Sequence, residues 1–423
     1  WKRMLSCCTA KISTPEKSRK PMETDPDSSA KSFAQELLTS NFWQSRREKR
    51  PLYLDGAAKG LLANVGMDEV IEALCKGTRS QPCSTGAHRR GEPHLRENVF
   101  MAYLDQATLS LTGAEHYLPW LLAVCKALET AFGFVSARLL VDPEDGRLLA
   151  SESDVLMLQL LGNRRLTLMR PLQGLPVSAP RPKALLEATL GAGDVLYLPA
   201  GLEGRPCTPC TGPESIPNVY ILLTLQSAEL SVGFSLCRYL GDLLLQKENL
   251  SAEADAFFRS AMTRRTRDDL AKPELGESVQ RHARELLSKA TVTDLQKHFE
   301  SRIQQMRQEQ LESAGEVRSL PPLEPMVLSR SLLRLAQGVR CKCDVGESRA
   351  LFTRGADTMT LNIAVTASAM LARLSDGKTH HVDSLPCDDP VERVCVCNVL
   401  MRKGCLDLVA SSHRGDGKLM GSD

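Results

Sequence analysis

The chain has 423 residues, of which 42% are hydrophobic and 25% are charged, and its formal net charge is +2. This composition is typical of a folded globular protein with room for two or three domains, and the low net charge excludes a strong bulk attraction to nucleic acid. No apolar run approaches the length of a membrane span, and residues 1–20 lack the apolar centre of a secretory signal. Because the chain opens on Trp1 rather than methionine, we expect it to be a fragment.

The N-terminal part of the chain predicts a tail, two helices and a short strand. Residues 1–28 are polar and basic, which predicts a disordered tail. The Ser29–Ser45 segment has the apolar spacing of a helix, and Lys49–Leu54 reads as a short strand that enters a barrel. A short helix is predicted at Met67–Lys76. Residues 78–98, which are rich in Gly, Arg and His, predict a loop.

The middle of the chain predicts a β-sandwich or barrel. Tyr117–Phe132 has the pattern of an amphipathic helix, and residues 155–161 alternate with the two-residue period of a buried strand. Further strands are predicted at 135–141, 164–170, 186–190, 195–199 and 218–226. Short strands separated by Gly- and Pro-containing turns are typical of all-β sandwiches and barrels.

These strands resemble a known family. The stretches LQLLGNRRLTLMRP at 158–171 and LGAGDVLYLPAG at 190–201 look like the JmjC barrel of the ribosomal oxygenases, and FWQSRREKRPLYLDG at 42–56 extends the likeness. This family comprises the nucleolar histidyl hydroxylases, also named bifunctional lysine-specific demethylase and histidyl-hydroxylase, and bacterial relatives that hydroxylate a ribosomal-protein arginine. The resemblance implies an α+β fold with a double-stranded β-helix (cupin/JmjC) barrel that would hold Fe(II) and 2-oxoglutarate. It also implies a helical dimerisation segment, a C-terminal winged-helix domain and a location in the nucleus or nucleolus.

The segment after the barrel switches to the helical period. Helices are predicted at 234–248, 252–262, 277–287 and 293–310. Their apolar stripes need a partner surface. The resemblance implies that this partner is a second copy of the chain, whereas the residues alone fit an intramolecular helical subdomain equally well.

After a Pro-rich linker at 320–325, the chain predicts a winged-helix-like domain. Helices are expected at 327–337, 365–374 and 390–403, followed by a strand at 405–409. A winged helix can bind nucleic acid, but the last helix offers few basic residues, Arg393, Arg402 and Lys403, so contact with protein or support of the barrel is favoured. The predicted domains are a tail at 1–28, a JmjC-like barrel at 29–228, a helical domain at 229–315, a winged-helix-like domain at 320–412 and a disordered tail at 413–423.

The metal site implied by the resemblance is where this sequence departs from the family. Fe(II) in such oxygenases needs two histidines and one carboxylate, which leave coordination positions open for 2-oxoglutarate and O₂. The corresponding positions here are Leu149, Ser151 and Gly204. None of the eight histidines of the chain lies between His116 and His282, although this interval contains the strands of the predicted barrel. We therefore predict no metal and no bound cofactor.

The 2-oxoglutarate site that the resemblance implies is also altered. The family's Asn and Tyr fall at Arg138 and Leu140, and its lysine falls at Arg164. Arginine can pair with a carboxylate in a bidentate manner, but a solvated charge beside the Gly-Asn turn is the favoured interpretation. A shift of the alignment would bring Glu152 or Asp154 to the place of the metal carboxylate, and no shift brings a histidine.

Other sites have weaker support. His88, His94 and His116, with Glu92 and Glu115 nearby, match no metal-ligand spacing, and surface histidines are the simpler interpretation. Fourteen cysteines without a regular framework indicate reduced thiols in a cytosolic or nuclear protein. The CxxC half-site at 207–210 lacks a second half, because the CxC pairs that begin at Cys341 and Cys395 have the wrong spacing.

Three hypotheses are compatible with the sequence. The first is a ribosomal-oxygenase-like JmjC protein that has lost Fe(II) binding and acts as a binding module for a ribosomal or chromatin protein. In this hypothesis the protein forms a homodimer and does not associate with a membrane. The second is an active Fe(II)/2-oxoglutarate-dependent protein hydroxylase or histone lysine demethylase with unorthodox ligands. The third is a nucleic-acid-binding winged-helix protein with an inert barrel. We favour the first, because a site without histidines has little affinity for Fe(II).

Overall fold

The central strands form two antiparallel sheets. The computed structural model describes residues 26–63, 65–80, 85–89, 92–93, 98–143, 149–150, 153–170, 184–206, 216–225, 232–245, 273–319, 325–344, 349–362 and 365–410. In chain order, the strands of these two sheets are β1 (Leu52–Leu54), β2 (Thr85–Arg89), β3 (Glu92–Pro93), β4 (Thr108–Thr112), β5 (Ser136–Asp142), β6 (Leu149–Ala150), β7 (Val155–Leu161), β8 (Arg164–Met169), β9 (Leu186–Leu190), β10 (Val195–Leu198), β11 (Glu203–Pro206) and β12 (Asn218–Thr224). The eight-stranded sheet has the order β1-β10-β7-β12-β5-β4-β2-β3, and the four-stranded sheet has the order β6-β11-β8-β9.

Apart from β8 and β9, which pair with each other in the smaller sheet, successive strands from β5 to β12 cross between the two sheets. β5, β7, β10 and β12 belong to the larger sheet, while β6, β8, β9 and β11 belong to the smaller one. This alternation is the connectivity of double-sheet jelly rolls and cupins. We refer to the two sheets together as the barrel. The strands predicted from the two-residue period are all present, because their apolar residues are buried between the sheets or beneath the covering helices.

One part of the barrel differs from the sequence prediction. The predicted loop at residues 78–98 contains strands β2 and β3. The TGAHR sequence of β2 has no alternating apolar pattern. Its extended conformation comes from pairing with β4, with Thr85 opposite Leu111 and His88 opposite Thr108. Neighbouring backbone thus imposes a strand that local preference does not indicate.

The N-terminal segment packs on the outside of the larger sheet. Helix α1 spans Pro26–Leu37, so it begins inside the predicted tail and ends earlier than the predicted helix. A π-helical turn follows at Phe42–Arg46, where the Phe42 ring lies 5.0 Å from Tyr197. β1 then pairs with β10, as its predicted entry into the barrel requires.

Further helices cover the same face of the sheet. They are α2 (Lys59–Leu62), α3 (Met67–Ser80), α4 (Val99–Leu104) and α5 (Pro119–Phe132). The predicted helices at 67–76 and 117–132 are confirmed, with small changes at their ends. Buried residues of α5 such as Leu121 share one core with Leu156 and Leu158 of β7.

Three helices follow the barrel: α6 (Val232–Leu245), α7 (Pro273–Lys289) and α8 (Val292–Ser319). The predicted helix at 252–262 lies outside the described residues. A small core of Tyr239, Leu243 and Leu286, against which Leu295 of α8 packs, joins the three helices. The C-terminal half of α8 also packs against the barrel, where Arg307 contacts Glu129 of α5.

The C-terminal region combines two helices with two small sheets. One sheet has the order β17-β13-β18, formed by His380–His381, Leu332–Leu335 and Leu406–Ala410. The other has the order β14-β15-β16, formed by Val339–Asp344, Arg349–Arg354 and Asp357–Asn362. Helices α9 (Val365–Leu374) and α10 (Pro390–Arg402) agree with the predicted helices.

The predicted helix at 327–337 is wrong. Leu332–Leu335 is strand β13, since pairing with both β17 and β18 satisfies its backbone on two sides. Helix α10 is buried along most of its length and packs against α3 and α4. Within the described ranges, no helix combines the length and apolar character needed to cross a membrane.

Candidate functional site

Apolar side chains from both sheets form a core inside the barrel. The larger sheet contributes Leu140, Met157, Leu196, Leu198 and Tyr220, and the smaller sheet contributes Leu166, Leu168, Ala188 and Leu190, all of them buried. Because strand residues alternate between faces, these side chains project from each sheet toward the other. The facing surfaces of the two sheets are thus apolar at these positions.

The sequence-predicted ligand positions come together in the smaller sheet. Leu149 of β6 and Gly204 of β11 are direct register partners, and Gly204 also pairs with Leu168 of β8. Paired residues on adjacent antiparallel strands have Cα atoms about 5 Å apart, a separation at which two imidazoles could share one metal ion. Neither leucine nor glycine has a side-chain atom with a lone pair for a metal ion, so these side chains do not fit Fe(II). The third position, Ser151, lies outside the described residues.

The carboxylate that a shifted alignment would place at the metal has a different role. Asp154 is buried at the start of β7, where its Oδ2 accepts a hydrogen bond from the Tyr197 hydroxyl. Its Oδ1 accepts a second hydrogen bond, 2.9 Å long, from the Ala200 backbone N–H. The two hydrogen bonds hold β10 and the turn after it against the start of β7, so Asp154 is a structural residue. Glu152 lies outside the described residues.

The upstream histidines do not converge on one point. His88 lies in β2 opposite Thr108, at the start of β4, whereas His116 follows the far end of that strand. Four residues of strand separate these ends by about 13 Å. Glu92 is in β3, and His94 lies outside the described residues. Throughout the described parts of the chain, no group of three His, Cys, Asp or Glu side chains is arranged to hold a metal ion.

Arg164 is buried inside the barrel. Its side chain is 0% exposed, and its guanidinium carbon lies 4.6 Å from the centre of the Tyr220 ring. The favoured interpretation of Arg164 as a solvated charge is therefore wrong. Arg164 lies on the same face of β8 as Leu166 and Leu168, and the two-residue period of RRLTLM is the signal that could have found this.

Polar residues accompany Arg164 at that end of the barrel. Tyr220 pairs with Gln159, whose Nε2 donates hydrogen bonds to the Leu161 carbonyl at 2.6 Å and to Asn218 Oδ1 at 3.0 Å. Asn218 pairs in turn with Asp142. A buried cation among amide and hydroxyl groups has the chemistry to bind a carboxylate.

The other two positions of the expected 2-oxoglutarate site differ from each other. Leu140 is buried in the barrel core, two residues along β5 from Arg138. Arg138 is exposed and pairs with Leu222 of β12, two residues from the Leu140–Tyr220 pair. The three family positions for the cosubstrate therefore contain one buried apolar residue, one buried cation and one exposed cation.

The structure brings together a carboxylate cluster that no sequence pattern singled out. Glu115 Oε2 accepts a hydrogen bond of 2.9 Å from the Ala137 N–H, and its Oε1 accepts one of 3.2 Å from Gln310 Nε2. Three residues earlier in α8, Arg307 donates to Glu129 at 3.0 Å. Burial raises the pKa of Glu115 to about 7, although hydrogen bonds to the carboxylate oppose the shift. The Arg307–Gln310 spacing on one helix face is the signal that could have found this cluster.

The basic residues of the last helix are largely engaged within the chain. Arg393 donates to the carbonyls of Asp383 at 2.9 Å and Cys387 at 2.6 Å. The Arg402 guanidinium lies 5.2 Å from the centre of the Phe100 ring. Since α10 also packs on α3 and α4, it does not present the basic, accessible face that a DNA-reading helix needs.

Comparisons with known proteins return matches of structure alone. No protein-family model matches the chain, and no curated protein matches it at a significant level. Among solved structures, the chain is similar to YcfD, a ribosomal oxygenase from Escherichia coli, with 16% identity, coverage of 88% of this chain and 97% of that chain, and a TM-score of 0.39. The structure of YcfD in complex with cobalt and 2-oxoglutarate has the same identity and TM-score, with coverage of 88% and 98%.

A cupin superfamily protein from Desulfitobacterium hafniense is similar over 22% of this chain and 68% of its own, with 18% identity and a TM-score of 0.15. The ribosomal oxygenases are the family that the barrel strands resemble in the sequence.

Proposed function

We propose that this chain is a ribosomal-oxygenase-like JmjC protein that does not bind Fe(II) and that acts as a binding module for a ribosomal or chromatin protein. One observation carries the proposal. Leu149 and Gly204 are register partners at the positions where the resemblance implies iron-binding histidines. The apolar core between the two sheets supports the same conclusion, because its buried side chains offer no ligand for a metal ion.

The test is a metal titration with an engineered positive control. The wild-type chain is titrated anaerobically with Fe(II) in the presence of 2-oxoglutarate, and we expect no stoichiometric binding. The double substitution Leu149→His with Gly204→His places two imidazoles on paired residues, so this variant should bind Co(II) with a visible absorption band. Stoichiometric Fe(II) in the wild-type barrel would overturn the proposal whether or not the double variant folds.

The second candidate function is an Fe(II)/2-oxoglutarate-dependent protein hydroxylase or demethylase. Its specific support is Arg164, a buried cation at the family position for the cosubstrate carboxylate. The deciding measurement is succinate release from 2-oxoglutarate with ribosomal proteins or histone peptides as substrates. Turnover that is lost in Arg164→Met but kept in Arg165→Met, the exposed neighbour on the same strand, would establish this function over the first.

We also propose that helices α6 to α8 mediate homodimerisation. Large apolar side chains are exposed on these helices, including Val232, Phe234, Leu287 and Val292, and the core that the helices share is small among the described residues. Light scattering after size exclusion should give a dimer mass for the wild type and a monomer mass for Phe234→Ser combined with Leu287→Ser. Leu351→Ser, which changes an exposed apolar residue in β15, is the matched control and should remain dimeric. A wild-type monomer at all concentrations would contradict this assignment.

For residues 320–412 we propose a winged-helix-like domain that supports the barrel. Its contacts with the N-terminal part support this role, since the Tyr103 hydroxyl donates to Asp389 at 2.6 Å and the Ser329 N–H donates to Asp68 at 2.8 Å. The full chain should then show no salt-dependent binding to duplex DNA or RNA, and such binding would restore the nucleic-acid hypothesis. A nuclear or nucleolar location, which the resemblance implies, can be tested by imaging a fluorescent fusion.

A further inference from the structure

Two CxC pairs with identical spacing have opposite geometries in the structure. Cys395 and Cys397 lie in α10, where residues two apart point to different sides of the helix, and both thiols are buried. Cys341 and Cys343 lie in β14, where residues two apart point to the same face. Their Sγ atoms are 3.9 Å apart, and both side chains are partly exposed.

The β14 pair faces the core side of an edge strand. Cys341 pairs with Phe352 and Cys343 pairs with Ala350, and both partners are buried beneath the sheet. β14 lies at one end of its three-stranded sheet, so only one of its two sides is held by another described strand. An edge strand can contract locally at less cost than a central strand, because fewer backbone hydrogen bonds must move.

We propose that Cys341 and Cys343 form a reversible disulfide by exchange with a small-molecule disulfide such as oxidised glutathione. The two thiols are already neighbours, and closing the bond requires the sulfur atoms to approach to about 2 Å. Residues two apart in a strand have Cα atoms separated by about 6.6 Å, near the upper limit of roughly 6.8 Å for disulfides. The closed form is therefore strained, which makes it readily reduced and suits a regulatory rather than a permanent bond.

The exchange is balanced in atoms and electrons. One cysteine thiolate attacks a sulfur of the small disulfide, forms a mixed disulfide and expels one small thiolate. The second cysteine sulfur then attacks the protein sulfur of the mixed disulfide and expels the other small thiolate. The two cysteines lose two electrons, the small disulfide gains them, and the two cysteine protons end on two small thiols. Burial and, to a smaller extent, the neighbouring Cys343 raise the pKa of Cys341 to about 12. Because the thiolate is the attacking species, the exchange is favoured by alkaline conditions.

The experiment uses the full chain with a chelator present, so that adventitious metal does not protect the thiols. The protein is incubated with oxidised glutathione, denatured, alkylated and digested with trypsin without reductant. Trypsin cleaves after Lys342, between the two cysteines. We expect fragments 341–342 and 343–349 to be joined until reductant is added, or residues 341–349 to remain uncut with two hydrogens missing.

The helical pair provides the internal control. Tryptic fragment 394–402 contains Cys395 and Cys397, and we expect its oxidised fraction to be lower by about tenfold or more, because exchange needs access and neighbouring sulfurs. Equal oxidation of both pairs, or full alkylation of Cys341 and Cys343, would overturn the proposal. In Cys341→Ser, Cys343 should instead keep glutathione as a mixed disulfide. If the wild type accumulates the same mixed disulfide, the second step does not occur and the proposal fails.

Discussion

The barrel and the helical segment that follows it are stabilised in different ways. In the barrel, apolar side chains from two facing sheets interdigitate, and residues such as Leu166, Leu168 and Leu190 are fully buried. In helices α6 to α8, the described core consists of Tyr239, Leu243 and Leu286, while large apolar residues remain exposed. Among the described residues, the barrel therefore has a larger apolar core of its own than the helices have.

The two regions meet at the carboxylate cluster. Glu115 and Glu129 belong to the barrel and its covering helix, and they receive Gln310 and Arg307 from α8. This junction ties the helices to the barrel through polar contacts. Substitutions in the barrel, at the junction and on the exposed surface of the helices therefore test how strongly the two regions differ in stability.

The largest effect is expected inside the barrel. Leu166→Ala should lower the free energy of unfolding by about 2–5 kcal/mol, because it creates a cavity in a fully buried core. The matched substitution Leu243→Ala in α6 should cost less, about 1–2 kcal/mol, since its small core can collapse more easily. Urea unfolding followed by fluorescence and circular dichroism measures both values. Equal losses would mean that the helices are as well packed as the barrel.

The junction should give a pH dependence. The pKa of Glu115 is raised from 4.5 to about 7 in the folded chain, so the folded state holds a proton that the unfolded state releases. Stability should therefore fall as the pH rises from about 4.5 to about 7, by up to about 3 kcal/mol, and then level off. Glu115→Gln should lack this component. Urea unfolding of both proteins between pH 5 and pH 8 measures the difference, and parallel pH profiles would refute the assignment.

A smaller effect is expected from the buried arginine. Arg164→Ala removes the contact between the guanidinium and the Tyr220 ring, which should cost about 2 kcal/mol in a desolvated site. Arg165→Ala is the control on the next residue of β8. Its ion pair with Glu187 is 3.7 Å long and more than half exposed on both sides, so the loss should stay within about 0.5 kcal/mol. Similar losses at the two positions would show that the burial of Arg164 contributes nothing.

The smallest effect is expected on the exposed surface of the helices. Val292→Ser changes a residue that is 84% exposed at the start of α8. In a dilute solution of monomers, the free energy of unfolding should change by less than about 0.5 kcal/mol. Thermal unfolding at low and high protein concentration checks this expectation. A large loss at low concentration would mean that Val292 packs within its own chain.

Several elements could be predicted because their pattern is local. The alternation of residues 155–161 and the amphipathic pattern of residues 117–132 each identify an element from its own residues. Strand β13 could not be found in this way, since Leu332–Leu335 is equally compatible with a helix and becomes a strand through pairing with β17 and β18. The same reason explains the missed β2, whose extended backbone depends on β4.

In the candidate site, too, some properties could be predicted from the sequence and others depended on the tertiary structure. Residue identity alone established that Leu149 and Gly204 cannot bind iron, since no fold gives leucine or glycine a ligand atom in its side chain. Tertiary structure decided that these two residues are paired, that Arg164 is buried and that Glu115 meets Gln310. Side-chain chemistry belongs to each residue, whereas proximity and burial arise only when distant segments pack together.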